Sequence, residues 1–172
     1  WSLLGRRAIA TGQVEDRTAF VMASGCLVSR ERIMEIGPMR EEFFIDYIDY
    51  DFSFRVRRAG YRIVVVGSAN LKHRLGEHKE AKFLGFKKSF REHQADRRHT
   101  IYRNRIRVIF SHGFRFPEFL QFEFLSITKD FAQLLIWESE KGAKLSAILS
   151  GIWAGLLGRG GANSRWSCSG SV

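Results

Sequence analysis

Residues 43–55 read FFIDYIDYDFSFR, three aspartates among aromatics at what reads as the mouth of a helix. Phe52, Val56 and Ala59 then fall at the spacing of one buried helical face, and Gly60 supplies a stop. Aspartates in a first helical turn ordinarily cap free N–H groups and offset the helix dipole. Asp46, Asp49 and Asp51 are more than one cap requires. Crowded carboxylates repel one another, which raises the pKa of at least one and equips it as a general base. Asp51 and Arg55, four apart, also suit a plain ion pair.

Upstream, residues 20–28 (FVMASGCLV) read as a buried strand interrupted at Ser24-Gly25, where a missing side chain lets a ligand or another backbone approach. Ser29 can cap a short helix that Gly37-Pro38 ends. Downstream, residues 61–66 (YRIVVV) form a second strand pattern, and residues 70–73 a short extended piece after a Gly67-Ser68 turn. This alternation predicts the edge of an α/β sheet.

The second half changes character. Residues 76–98 are basic, with Phe83, Phe86 and Phe90 on one helical face, and helical spacing follows over 101–110, 117–138 and 144–157. Pro117 opens the second of these at its first turn. Residues 159–172 (RGGANSRWSCSGSV) read as a disordered tail. The opening 18 residues carry no complete secondary-structure signal, which suits a piece of a longer chain.

A formal charge of +10 on 172 residues attracts polyanions: nucleic acid, anionic headgroups or nucleotide diphosphates. Cys26 and Cys168 match no disulfide or zinc spacing, so a cytoplasmic setting is expected. The least polar run, 145–158, is shorter than the roughly 20 residues that cross a bilayer. His73, at the end of an extended piece and before Arg74-Leu75-Gly76, is either a structural histidine or one ligand of a divalent cation. In RRHTIYRNR, residues 97–105, Arg98 and Arg103 either suit bidentate phosphate contact or belong to a solvated basic face.

Taken in order, ASGCLVSRERIMEIGPMREEFFIDYIDYDFSFRVRRAGYRI, LKHRLG, RRHTIYRNR and KLSAILSGIWAGLLGRGG resemble the C-terminal half of family 2 glycosyltransferases, and among them the rhamnosyltransferases. The FFIDYxD form points to rhamnosyl transfer. The resemblance implies part of a GT-A fold over residues 1–76, a basic and helical extension over 77–158 and a tail over 159–172. It implies an inverting transfer of a sugar from a nucleotide diphosphate donor, dTDP-rhamnose, to a glycan or lipid-linked acceptor.

By the same resemblance Asp49 stands where the family's base does, with Asp51 and Arg55 supporting it. Ile48 replaces a glutamate common in relatives, which leaves Asp46, with Ser24 and Gly25, for the acceptor contact. His73 matches a metal-binding histidine, so magnesium or manganese is implied, its other ligands lying outside this chain. The nucleotide-binding sheet and its Asp-x-Asp are also absent, so residues 1–172 alone are expected to be inactive. Lipid-linked acceptors imply a peripheral place on the inner face of the plasma membrane. The rival reading is a basic module over residues 79–107 that binds nucleic acid or anionic membrane without catalysis. No helix-turn-helix, zinc-finger or RNP pattern accompanies it, which disfavours nucleic acid.

Overall fold

A computed structural model describes residues 10, 12–16, 18–72, 79–83, 86–90 and 92–158. The upstream helix forms as its sequence directs. In α1 (Arg30–Ile36) the Ser29 hydroxyl accepts from the Arg32 amide, and Gly37 ends the helix at φ 90°. The second helix, α2 (Ile48–Arg58), begins without a side-chain cap: Tyr47 occupies the cap position in the left-handed region at φ 65°. None of the aspartates holds the cap, but Asp49 and Asp51 do stand in the first turn, where their charge offsets the helix dipole.

The sheet edge is smaller than expected. β1 (Val14–Glu15) pairs antiparallel with β2 (Val65–Val66), so only the end of the 61–66 pattern joins a ladder. Residues 20–28 have no ladder partner among the described residues and instead turn at Ala23–Cys26, where the Cys26 amide donates to the Ala23 carbonyl. An apolar run becomes a strand only where a neighbour takes its backbone groups. Here it lays Phe20 against Tyr50, Phe54 and Phe122.

Within the basic segment the described residues 79–83 and 86–90 are paired strands, and a helix begins only at Ala95. β3 (Lys79–Phe83) and β4 (Phe86–Phe90) pair antiparallel, Phe83 opposite Phe86. That local pairing overrides the helical spacing of the phenylalanines.

Three long helices follow. α3 (Ala95–Val108) runs into a π-helical turn, Ile109–Gly113; α4 (Pro117–Trp137) and α5 (Lys141–Leu156) complete the set. α4 returns antiparallel along α3, since Arg98 meets Glu138 while Arg105 meets Glu123 and Asp130. α5 then runs parallel to α3 at very close approach. Gly151 lies against the His99 carbonyl, and a Cβ at Gly155 would stand 2.8 Å from the Arg103 carbonyl oxygen. Only glycine permits helix backbones so near one another.

Phe43, Tyr47 and Phe54 share one core with Val108, Phe116 and Phe119, so position 76/77 does not divide two cores. A second cluster, Tyr102, Leu134 and Ile148, joins α3, α4 and α5. At its end Lys144 bridges Glu92 and Glu138, which also binds Arg98. Such buried charges are tolerable only because they are paired.

Candidate functional site

The loop that feeds α2 follows an unusual course. Phe44 takes φ 58° and ψ −58°, closing a γ-turn in which the Ile45 amide donates to the Phe43 carbonyl at 2.6 Å. Asp46 and Tyr47 follow at φ 58° and 65°. Side chains other than glycine rarely adopt such values, and each costs about 1–3 kcal/mol unless the surroundings impose it.

Consecutive residues of α3 impose it. Arg103 Nη2 donates to the Glu42 carbonyl at 3.1 Å. Asn104 Nδ2 faces the carbonyls of Phe43, Ile45 and Asp46 at 2.8, 2.8 and 3.1 Å. Arg105 Nε donates to the Tyr47 hydroxyl and lies 2.7 Å from Glu123 Oε2. Burial works against the Arg105 charge, but Tyr47, Glu123 and Asp130 around it more than offset that cost and raise its pKa.

The aspartates have separate fates. Asp46 is held bidentately by Arg97, with both contacts at 3.1 Å. Asp51 is 1% exposed, 2.9 Å from Arg55 Nε and 2.9 Å from His112 Nε2. Burial would raise its carboxyl, but His112, Arg40 and Arg55 together hold it below the usual range. Asp49 has no cation partner among the described residues. Half-buried, its carboxyl is raised by burial and further by Asp46, against the lowering effect of the nearby Ala23 backbone.

The Ser24-Gly25 turn thus lies beside Asp49. Gly25 takes φ 79°, with Leu71 packed behind it. Cys26, exposed and free, has its thiol raised by burial and by the Asp49 charge. A cleft of about 330 Å3 opens between α3 and α4, with Asp46, Tyr47, Tyr50, Tyr102 and Phe122 on its walls. His93 lines it too, its imidazole pKa lowered by burial and by Arg97.

Arg98 and Arg103 do not present a phosphate site. They are 4% and 3% exposed, and Arg98 is bound to Glu138 and Arg103 to Glu42 and Asn104. Buried guanidinium groups need internal acceptors, so these arginines became clamps. The same commitment removes much of the rival basic face: Arg97, Arg98, Arg103 and Arg105 all hold internal partners.

His73 lies outside the described residues. Among the described residues no group of at least three His, Cys, Asp or Glu side chains stands close enough to hold a metal ion.

The sequence reading missed Asn104, although it quoted the segment containing it, because a carboxamide facing three carbonyls leaves no signature in spacing. It also missed His112, a lone histidine with no pattern around it. Gly151 and Gly155, at GxxxG spacing, mark the α3–α5 contact.

A stretch of 77 residues is 30% identical to a dTDP-rhamnosyl transferase, RfbF, of Shigella flexneri, covering 45% of this chain and 26% of that protein. The chain thus spans about a quarter of the length of the curated relative it matches. No family model matches, and no solved structure does. The likeness is a distant one to a glycosyltransferase.

Proposed function

We propose that this chain is the acceptor side of an inverting family 2 glycosyltransferase of GT-A fold, a rhamnosyltransferase, in which Asp49 is the base. One observation carries the assignment: Asp49, half-buried, raised in pKa and beside the Ser24-Gly25 turn, has no cation partner among the described residues, whereas Arg97 holds Asp46 and Arg55 holds Asp51. The distant likeness to a dTDP-rhamnosyl transferase supports the class of reaction.

In this reading the Asp49 carboxylate takes the proton of an acceptor hydroxyl as that oxygen bonds to the anomeric carbon. The bond from the anomeric carbon to the diphosphate oxygen breaks at the same time, and the nucleotide diphosphate leaves with the electron pair. Attack from the opposite face inverts the configuration. Asp46 and the cleft beside it take the acceptor glycan. The donor is a nucleotide diphosphate sugar, dTDP-rhamnose, and a divalent cation at His73 belongs to the same proposal. Exposed Phe110, Phe114 and Trp153, with Arg107 and Arg115 beside the phenylalanines in sequence, support a peripheral place on the inner membrane face.

The test is Asp49→Asn in the full-length enzyme. Turnover should fall by about a hundredfold or more while donor binding persists, since a general base contributes about 10² to 10⁴. Near-normal turnover in that variant moves the role elsewhere.

A further inference from the structure

We propose that Arg103 and Asn104 are positioning residues, which hold the strained 42–47 backbone and so fix where Asp46 and Asp49 stand. The inference rests on the reading of Asp49 as base.

The geometry is a grip of one sequence on another. Successive side chains of α3 take successive pieces of the loop: Arg103 the Glu42 carbonyl, Asn104 the carbonyls of Phe43, Ile45 and Asp46, and Arg105 the Tyr47 hydroxyl. Asn104 is fully buried, and its own oxygen accepts from Arg103 Nε and Nη2 at 3.0 and 2.9 Å, which fixes the orientation of the carboxamide. A plain turn needs no such grip. This one contains left-handed Phe44, Asp46 and Tyr47, none of them glycine, and a free chain would leave that course.

Relaxation of the loop would act on the reacting group. Tyr47 is the first boundary of α2, so its backbone direction sets the axis on which Asp49 is carried. Asp46 lies within the loop and is near enough to raise the Asp49 carboxyl. Displacing a catalytic group by about 1 Å can cost a hundredfold in rate without any change in contacts to substrate.

The experiment is Asn104→Ala in the full-length enzyme, which removes every Nδ2 contact. The expected result is a turnover lower by about 10- to 100-fold with donor KM almost unchanged, the pattern of lost alignment rather than lost binding. The acid limb of the pH profile should also move to lower pH, because a loosened Asp49 gains water and lies farther from Asp46. Cys26, its other titratable neighbour, changes charge only at alkaline pH and leaves that limb alone. A merely structural lesion would lower the amplitude and leave the limb in place.

Adding Phe44→Gly, which lets position 44 take positive φ freely, should restore part of the loss; no regain overturns the strain argument. On residues 1–172 as they stand, hydrogen exchange at amides 44–49 should quicken in Asn104→Ala if the grip is real. Unchanged exchange, or unchanged turnover and pH limb in a folded variant, overturns the proposal. Should Asp49→Asn keep its activity, the base assignment fails while the exchange result still judges the grip.

Discussion

Asp51 Oδ1 and His112 Nε2 meet at 2.9 Å with both side chains 1% exposed, so the carboxylate one turn into α2 is joined to the π-helical turn after α3 in a dry contact. Arg55 approaches the same carboxylate and reaches on to the carbonyls of Ile36, Gly37 and Pro38. Asp51 is thus a structural hub, two positions from the proposed base.

Asp51→Asn should therefore destabilise the fold by about 3 kcal/mol, the low end for breaking a buried pair, because Arg55 keeps its carbonyl partners. Denaturant unfolding measures this. Loss of less than about 0.5 kcal/mol, typical of a surface change, would refute the hub.

The pH dependence follows from the same group. Asp51 is held below its unfolded value, so its contribution is complete above the ordinary carboxylate pKa of about 4 and is lost as pH falls through the lower folded value. Acid unfolding of Asp51→Asn should show a shallower loss of stability below about pH 4 than the parent.

The parallel contact of α3 and α5 makes a sharper prediction. Gly155→Ala places a methyl 2.8 Å from the Arg103 carbonyl oxygen and should cost about 1–3 kcal/mol, read as a drop in Tm. Gly142→Ala, in the same helix with nothing within 4 Å, should be neutral or raise stability by about 0.5–1 kcal/mol. Equal effects at the two sites would mean the helices are not in contact as described.

For the membrane proposal, Phe110, Phe114 and Trp153 are 59%, 82% and 63% exposed, apolar surface that a bilayer interface would cover. No helix among the described residues is long and apolar enough to cross a membrane. The chain should float with anionic vesicles and be released by salt, and Phe114→Ser with Trp153→Ser should reduce flotation at equal charge. Flotation that ignores both changes would leave charge alone as the cause.

What the sequence determined by itself is local. Ser29, Gly37 and Pro117 placed helix ends because cap and stop chemistry acts within a few residues, and the i,i+4 spacing placed Arg55 on Asp51. Helical spacing found α4 and α5 to within three residues at each end, since a repeated apolar face needs no knowledge of its partner. The likeness to a glycosyltransferase was likewise carried by the order of short motifs.

Tertiary contacts, by contrast, decided which of several like carboxylates a described cation holds. In the sequence Asp46, Asp49 and Asp51 look alike; Arg97 and His112, about 50 and 60 residues away, engage the outer two, while Asp49 has no such partner among the described residues. Residues 20–28 had the composition of a strand but turn at 23–26, and 79–83 and 86–90 had helical spacing but became paired strands, because backbone pairing depends on what lies alongside. The left-handed course of 44–47 was illegible for the same reason. Its cost is intrinsic to Phe44, Asp46 and Tyr47, whereas the groups that impose it stand on α3.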